Sequence, residues 1–180
     1  MDPIILEPYS PDWPFLFKEL GQRIREKLGR TAIRIDHIGS TSIPNMSAKP
    51  IIDVQISVEA LQPTDPFRGP LEELGFIFRK DNIEKTKRYF REKPGERRTH
   101  IHVRKIGSWH QQYPLLFRDY LRKNDLDARL YENEKTKLAE LYRDNRVAYV
   151  EGKMKIFWEI MYRADRWALF TGWEPEESDE

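Results

Sequence analysis

The chain has 180 residues, of which 39% are hydrophobic and 12% aromatic, enough for one domain with a real core and too many for a disordered chain. Its 31 Lys and Arg nearly cancel its 30 Asp and Glu, so a globally basic surface that wraps duplex DNA is not expected. The absence of cysteine excludes disulfides, thiolate nucleophiles and cysteine zinc sites. The N-terminus lacks the pattern of a signal peptide, and no apolar run approaches about 18 residues. We therefore expect a cytoplasmic protein without a membrane segment.

The first half of the chain alternates between helix and strand patterns. Residues 11–29 carry apolar side chains at positions 13, 16, 17, 20, 24 and 28, which is a helical spacing, and Gly29 is a typical helix end. Residues 31–39 and 49–58 have the alternation and β propensity of strands. The loop sequence "QPTDP" follows, and a short helix is predicted over residues 67–75.

The second half begins with strands and ends in helices. A short strand is predicted over residues 76–80. Residues 86–92 and 97–105 flank "KPGE", whose Pro-Gly pair suits a type II turn, so they predict a hairpin. The rest of the chain has helical spacing and predicts three helices, which start at Trp109, over residues 126–150 and over residues 153–170. The sequence thus predicts an α/β (α+β) fold of about five strands with a helical C-terminal third.

Charge is distributed unevenly along the chain. Residues 79–105 hold eleven Lys or Arg against four Asp or Glu, whereas the last seven residues, "EPEESDE", hold five acids. We expect residues 1–173 to form one domain and residues 174–180 to form a solvated, disordered tail.

Two predicted strands carry polar side chains along one face. Alternate residues of a strand point to opposite faces, so Asp53 and Gln55 lie opposite an apolar row, as do His100 and His102. A polar outer face on a half-solvated sheet is the plain explanation. Asp is disfavoured inside strands, however, and a carboxylate there usually has a cation, a metal or N–H donors as its partner. If the two strands lie side by side, these four side chains line one cleft.

The turn after the first strand, Gly39-Ser40-Thr41-Ser42, has features of a phosphate-binding loop. Gly39 allows close approach of the backbone, and hydroxyls with exposed N–H groups suit a phosphate. An ordinary turn with a hydroxyl that caps a helix is the alternative. Neither GxxxxGK[ST] nor GxGxxG occurs, so the turn belongs to neither of those nucleotide-binding motifs.

The stretch "HIGSTSIPNMSAKPIIDVQI" resembles the signature of the GrpB family, His-x-Gly-Ser-Thr-x-x-Pro-Gly-Leu-x-x-Lys-Pro-x-x-Asp. The resemblance extends over nearly the whole chain. "EPYSPDWPFLF" resembles the family's Tyr-x-x-x-Trp segment, "THIHV" its His-x-His strand, "LFRDYLR" its Phe-Arg-Asp-Tyr-Leu-Arg helix and "AYVEGK" its Tyr-x-x-x-Lys helix start. The motifs also occur in the family's order.

The resemblance implies a nucleotidyltransferase-like fold, with a mixed sheet flanked by helices. Members of that superfamily carry a hydrophobic-Gly-[Gly/Ser] turn and then Asp-hydrophobic-[Asp/Glu]. Ile38-Gly39-Ser40 and Asp53-Val54-Gln55 fit this order, with twelve residues between Ser40 and Asp53. The implied roles are phosphate binding for the turn and, for Asp53, binding of Mg²⁺ or Mn²⁺ that bridges to the reacting phosphate.

Two positions depart from the family pattern. Gln55 stands in place of the second carboxylate, and a neutral oxygen is a poor replacement for a metal-binding anion. Asn45 stands where the family usually has Gly, although Asn tolerates left-handed backbone. With His100 and His102, Asp53 would instead form a two-His-one-carboxylate set, which suits Mn²⁺, Fe²⁺ or Zn²⁺ better than Mg²⁺.

Cations complete the predicted site. Lys49 and Lys153 match family positions, and Lys49 is predicted to act with Asp53 in catalysis by stabilising charge. The residues predicted to bind phosphate are Gly39, Ser40, Thr41, Ser42, His37, Arg88, Arg98, Arg118 and Lys153. A solvated surface is the alternative for any single Lys or Arg, and a structural role is the alternative for His37.

Three functions are compatible with these residues. The first is metal-dependent transfer of a nucleotidyl group from an NTP to a small acceptor. The second is non-catalytic binding of a nucleotide or a CoA precursor, which Gln55 favours, as does the fusion of the family's domain to dephospho-CoA kinases in some bacteria. The third is RNA binding through the basic hairpin, where "KRYFR" interleaves cations and aromatics. The near-neutral total charge makes nucleic acid the least expected partner.

Overall fold

The computed structural model describes residues 3–180 and contains one mixed sheet packed between two groups of helices. The strands are β1 (Arg34–Ile38), β2 (Ile52–Val58), β3 (Phe76–Phe78), β4 (Lys87–Glu92) and β5 (Thr99–Lys105). The helices are α1 (Asp12–Leu28), α2 (Asp65–Glu73), α3 (Trp109–Lys123), α4 (Asp125–Leu141) and α5 (Arg146–Thr171). The strand order is β1-β2-β5-β4-β3, with β2 and β5 parallel and all other neighbours antiparallel. The predicted fold class and the predicted hairpin are confirmed.

The core lies between one face of the sheet and helices α1 and α2. The apolar row of β2 is fully buried there, as its alternation predicts; it consists of Ile52, Val54, Ile56 and Val58. Helix α1 buries Trp13, Phe17, Ile24 and Leu28 against it. The helix ends at Gly29, whose φ of 50° is accessible to glycine at little cost.

The opposite face of the sheet is partly covered by the C-terminal helices. Helices α3, α4 and α5 share a second apolar cluster, centred on residues such as Leu121 and Ile160. Helix α3 reaches the polar row of β2, where Gln55 Nε2 donates a hydrogen bond to the carbonyl of Gln111 at 2.8 Å. The rest of that polar face is open to a cleft between the sheet and the helices.

Two helix boundaries differ from those predicted. Helix α4 ends at Leu141 and α5 begins at Arg146, whereas the sequence pattern predicts one helix through residue 150. The break falls there because the Asn145 side chain accepts a hydrogen bond from Ala148 N at 3.1 Å and caps α5. Helix α2 starts at Asp65, inside the predicted loop, because a proline is well accommodated in the first turn of a helix. None of the helices within residues 3–180 combines the length and apolar character needed to cross a membrane.

The end of the chain packs against the edge strand β1. Ser178 Oγ accepts a hydrogen bond from Ile35 N at 2.8 Å, and the Asp179 carboxylate accepts one from His37 N at 2.8 Å. Glu180 N donates to Ile35 O at 3.1 Å. The sequence predicts a disordered tail, but the structure gives these residues partners, because an edge strand offers unpaired backbone groups. Both edges of β1 are therefore hydrogen-bonded, one to β2 and the other to the end of the chain.

Candidate functional site

Parallel pairing of β2 and β5 brings the predicted metal ligands together. The register places Asp53 opposite His100 and Gln55 opposite His102. His100 Nδ1 lies 3.1 Å, and His102 Nε2 lies 3.4 Å, from the same oxygen, Asp53 Oδ1. One candidate ligand atom from each of Asp53, His100 and His102 lies within 4.8 Å of the other two. The proximity anticipated from strand alternation is therefore present, and we call these three residues the triad.

Two residues of the triad, Asp53 and His102, have the protonation states that metal ligands need. Burial by itself would raise the pKa of Asp53, but hydrogen bonds from His100 and His102 outweigh it and hold that pKa well below its usual range. Burial lowers the pKa of His102 to about 4. At neutral pH the carboxylate is therefore ionised and the His102 imidazole is neutral. His100 Nε2 and His102 Nδ1 are buried and have no hydrogen-bond partner within residues 3–180.

The turn after β1 approaches the triad so closely that only glycine fits at its first position. Gly39 has a φ of 74°, and a Cβ built there would lie 2.6 Å from Asp53 Oδ2. A side chain at this position would displace the carboxylate. Asn45 has a φ of 61°, so the left-handed conformation expected at this departure from the family pattern is adopted.

The three hydroxyls of the turn have different surroundings. Thr41 Oγ1 donates to Ile51 O at 3.0 Å and also contacts His37 Nε2 at 3.0 Å, while Ser42 Oγ donates to Gly39 O at 2.6 Å. Both hydroxyls therefore stabilise the turn from within. Ser40 and Thr41 line the cleft, and Ser40 is the more exposed of the two.

His37 is placed beneath the turn rather than in the cleft. Its ring stacks on Phe17, with centroids 4.8 Å apart, and is almost fully buried. Burial, with help from Arg122, lowers its pKa to about 3, so it carries no charge at neutral pH. The structural role held open for His37 agrees with this position.

The cleft that contains the triad has a volume of about 470 Å³. It has an excess of positive charge, because six Lys or Arg side chains line it together with only two carboxylates, Asp53 and Glu84. Glu84 forms ion pairs with Lys87 and Arg104, each at 2.8 Å. The other four cations form no ion pair with any residue from 3 to 180; they are Lys49, Lys135, Arg146 and Lys153.

Three of these cations are lysines that face the triad from the helical side. Lys49 Nζ and Lys153 Nζ lie 5.2 Å and 5.0 Å from the ring centre of Tyr149, one cation–π contact each. Lys135 Nζ donates to Ser47 O at 2.7 Å and is almost fully buried. We call Lys49, Lys135 and Lys153 the lysine wall.

Burial and mutual repulsion weaken the charge of the lysine wall. Burial, and then the neighbouring Lys153, lower the pKa of Lys49 to about 8. The same two causes lower the pKa of Lys135 to about 7. The pKa of Lys153 is also lowered, chiefly by burial. An anion that enters the cleft would relieve this repulsion, so the wall has the electrostatics of an anion site.

The predicted arginines lie outside the cleft. Arg118 is buried in the core, where it pairs with Asp119 at 2.7 Å and Asp179 at 2.6 Å. Arg88 points to the opposite face from its strand neighbours and donates to backbone carbonyls, at 3.2 Å, in a different hollow. Arg98 lines an adjacent groove. These three side chains are therefore not placed to bind phosphate in the cleft.

Gln55 lies beneath the cleft rather than in its lining, and its Oε1 has no hydrogen-bond partner within residues 3–180. Its side chain is fully buried, its amide nitrogen is used by Gln111 O, and it does not line the cleft. The position of the second carboxylate in the superfamily pattern is thus occupied by a residue that fastens α3 to the sheet.

Several residues in or beside the cleft escape the sequence analysis; Tyr89 and Arg91 lie on the strand next to the triad but do not line the cleft. Tyr89 lies opposite His102 in the β4–β5 register, and its ring centre is 5.3 Å from that of His102. Arg91 lies opposite His100 in the same register. Alternation along β4 could have indicated both. Lys135 gives no such signal, because it is one lysine in a charged helix until the fold buries it.

Comparison with known proteins identifies the family. A family profile described as "GrpB protein" matches residues 3–163. The UPF0157 protein PA4798 of Pseudomonas aeruginosa is 39% identical over 171 residues, which cover 91% of this chain and 68% of that protein. The UPF0157 protein YqkA of Bacillus subtilis is 35% identical over 159 residues, 88% of this chain and 46% of the relative. A dephospho-CoA kinase of Mycolicibacterium paratuberculosis is 33% identical over 200 residues, 96% of this chain and 49% of the relative. The chain thus spans about half the length of the last two proteins.

Solved structures agree with this result. The crystal structure of the conserved protein GrpB from Enterococcus faecalis superposes with a TM-score of 0.78 at 31% identity, over 88% of this chain and 98% of that one. The Cid1 poly(U) polymerase with MgGTP bound superposes with a TM-score of 0.52 at 11% identity, over 73% of this chain and 43% of that one. The second likeness shows a shared nucleotidyltransferase-like fold.

Proposed function

This chain belongs to the GrpB family, and on that basis we propose that it is a metal-dependent nucleotidyltransferase-like enzyme that acts on a nucleoside triphosphate and a small acceptor. The observation that carries the proposal is the pairing of two features in one cleft. The triad offers two imidazoles and a carboxylate, and the lysine wall opposite it offers cations without anionic partners. A metal with a polyphosphate satisfies both at once.

The donor atoms of the triad fit a divalent metal. The distances of 3.1 Å and 3.4 Å between the imidazole nitrogens and Asp53 Oδ1 resemble the separation of neighbouring ligands that each lie about 2.1 Å from one ion. Each imidazole has a second nitrogen without a partner in the described chain, so either ring is able to change tautomer and present a lone pair. Two nitrogen donors favour Mn²⁺, Fe²⁺ or Zn²⁺ over Mg²⁺. Such an ion supplies Lewis-acid polarisation of a phosphoryl oxygen.

The chain's own residues have three tasks in this proposal. Asp53 holds negative charge at neutral pH beside Gly39, whose lack of a side chain leaves room for that carboxylate. Lys49 and Lys153 bind the charges of the triphosphate and stabilise those that develop on the leaving pyrophosphate. Tyr149, packed under both lysines, keeps their side chains oriented toward the cleft.

A second candidate function is non-catalytic binding of a nucleotide or a CoA precursor. Gln55 supports it, because a glutamine stands where the superfamily pattern has its second carboxylate. Its amide nitrogen is hydrogen-bonded to α3. The similarity to about half of a protein named dephospho-CoA kinase also supports it.

A thermal-shift experiment with ATP and either Mn²⁺ or Mg²⁺ tests the proposal. Ligand at a hundred times its Kd should stabilise the wild type by about 2.7 kcal/mol, or about 5–10 °C in Tm. Asp53→Asn should lose the metal-dependent part of the shift, whereas Asp165→Asn, an exposed carboxylate on α5, should keep it. No shift with either metal would refute the proposed site.

Turnover then separates the two candidates. The enzyme should release pyrophosphate from an NTP when supplied with a pool of small hydroxyl and phosphate acceptors, and Lys49→Gln should slow that release. A metal-dependent shift without pyrophosphate release from any NTP would instead support the binding module.

A further inference from the structure

A second positively charged hollow adjoins the cleft. It lies around the turn between β4 and β5 and has a volume of about 560 Å³. Five cations line it together with two carboxylates, Glu92 and Glu96. We call it the arginine groove, and its cations are Arg79, Arg91, Lys93, Arg98 and Arg146.

One carboxylate, Glu92, contacts two of the four guanidinium groups of the groove, and a third, that of Arg79, pairs with Asp81 at 2.8 Å. Glu92 Oε1 lies 2.7 Å from Arg91 Nη2 and 3.9 Å from Arg98 Nε, and Glu92 Oε2 accepts a hydrogen bond from Thr99 N at 3.0 Å. Because the backbone of Thr99 holds Glu92, the two arginines converge on a fixed carboxylate. Lys93 and Arg146 form no ion pair with any residue in the described part of the chain. The groove therefore has oriented donors and uncompensated charge.

The groove and the cleft lie on the same face of the sheet. Asp53, His100 and Arg91 occupy directly opposed positions on β2, β5 and β4. Side chains opposed in register share a face, so Arg91 follows the triad along one row. Arg146 lines both hollows and joins them. An anion in the groove would thus lie beside His100, next to the triad on the β4 side.

The residue types of the groove indicate which anion it suits. Guanidinium groups bind the oxygens of phosphate and carboxylate in pairs, whereas the lysine wall offers point charges. The remaining lining residues include Ile77, Pro94 and Gly95 and no aromatic ring. A strand of RNA needs aromatic rings for its bases to stack on, so a small anionic molecule fits better than a nucleic acid.

We propose that the arginine groove binds the anionic group, a phosphate or a carboxylate, of the small acceptor. This inference rests on the proposed function for the identity of the ligand as an acceptor, but the groove's anion affinity stands by itself. The triphosphate and the acceptor would then be held on two sides of Asp53. Binding energy from an anionic group remote from the reacting atom orients the acceptor for attack.

Calorimetry in metal-free buffer tests the groove, with inorganic pyrophosphate and tricarballylate as the phosphate and carboxylate probes. The wild type should bind the preferred probe at two sites. The double variant Arg91→Gln/Arg98→Gln should lose one of them, with affinity there reduced at least about tenfold. Arg88→Gln, on the same strand but in another hollow, should keep both. The probe that binds more tightly identifies the anion.

Further variants distinguish failure of this inference from failure of the proposed function. Lys49→Gln/Lys153→Gln should remove the other site and leave groove binding intact, and Asp53→Asn should leave groove binding intact although its metal response is lost. Lys93→Glu, on the exposed turn, should weaken anion binding in the groove without disturbing Glu92. It therefore tests the groove even if the double variant fails to fold. If the groove variants bind both probes with the wild-type affinity and stoichiometry, the inference is wrong, whatever the result with ATP.

Discussion

Two clusters of buried cations in this chain differ in how their charge is neutralised. Arg118 is 1% exposed and lies 2.7 Å from Asp119 and 2.6 Å from Asp179, and it also donates to His37 O at 3.1 Å. Lys135 is 2% exposed, and its hydrogen-bond partner is the carbonyl of Ser47. The first cation is surrounded by carboxylates, whereas the second faces other lysines.

The difference predicts which cluster stabilises the fold and leads us to propose the other as the one that binds a ligand. A buried charge destabilises the folded state unless a partner compensates it. Removal of one partner from a compensated network therefore leaves the remaining buried charges unpaired and lowers stability. Carboxylates compensate the charge of Arg118, although its Nη2 has no hydrogen-bond partner within residues 3–180, and we call this charge-compensated cluster the closed network. Substitutions there should lower stability. The buried charges of the lysine wall have no anionic partner in the free protein, so the free-energy cost of burying them is not offset. Substitutions there should therefore lower anion affinity with little loss of stability.

Arg118→Met should have the largest effect on stability. It removes the cation that pairs with Asp119 and Asp179, whereas Asp36 keeps Arg34 as its partner, and the loss of a buried partner of this kind costs about 3–5 kcal/mol. Chemical denaturation measures the change directly. Arg88→Met, which removes an arginine bound only to backbone carbonyls, should stay within about 0.5 kcal/mol of the wild type. Equal effects of the two substitutions would show that the closed network is not what stabilises this region.

Gly39→Ala should have the next largest effect, because the turn lies between the two clusters. Alanine at a φ of 74° costs about 1–3 kcal/mol, and its Cβ would also displace Asp53. Gly107→Ala is a matched control, since Gly107 has a φ of 71° and nothing within 4 Å of its Cβ position. Both variants should lose stability, but only Gly39→Ala should also weaken Mn²⁺ binding, by about 10–100-fold. Equal Mn²⁺ affinity in the two variants would argue against the contact with Asp53.

The sequence predicts the two polar strand rows well because alternation is a local property. Asp53 and His100 are on the expected face of the sheet, and the apolar residues that alternate with Asp53 along β2 are in the core on the other face. Local pattern does not tell which strands are neighbours, so the distance between Asp53 and His100 required the fold. Strand alternation predicts that they line one cleft only on the condition that the two strands are neighbours.

The cations show where sequence reasoning stops. Arg118 and Lys135 are both charged residues on helices, and both resemble solvated positions in the sequence. Their roles separate only when long-range packing places carboxylates around one and lysines around the other. The tail behaves in the same way, because its five acids predict disorder until an edge strand and Arg118 are found beside it.

Asp179→Asn tests the same network by changing a carboxylate partner of Arg118 instead of Arg118 itself. It weakens charge-assisted hydrogen bonds from Arg118 and from His37 N, which should cost about 1.5–3 kcal/mol. Glu176→Gln, in the same tail but 3.9 Å from an exposed Lys123, should have almost no effect. Hydrogen exchange at the His37 amide gives a local readout, since that amide donates to Asp179 and its exchange should quicken only in Asp179→Asn. Identical exchange in both variants would mean that the tail does not protect β1.

Lys135→Met should change stability least and should do so in the opposite direction. The substitution removes the cost of a buried ammonium but also the hydrogen bond to Ser47 O, so the free energy of unfolding should rise by no more than about 1 kcal/mol. ATP affinity should nevertheless fall by roughly tenfold, since one cation of the wall is lost. A substantial loss of stability instead would place Lys135 with Arg118 as a structural residue.

The pH dependence of this variant gives the most specific test. Lys135 has a folded-state pKa of about 7, below the unfolded value of 10.5, so its penalty is complete below pH 7 and disappears as the pH rises toward 10.5. The wild type should therefore gain stability relative to Lys135→Met across that window, while its ATP affinity falls as the ammonium loses its proton. Lys49 and Lys153, which face Lys135 in the wall, titrate in the same direction, whereas Glu132 opposes them by favouring the charged form. A stability difference that does not change between about pH 6 and 9 would show that Lys135 titrates normally, and the wall would then lack the repulsion that makes it an anion site.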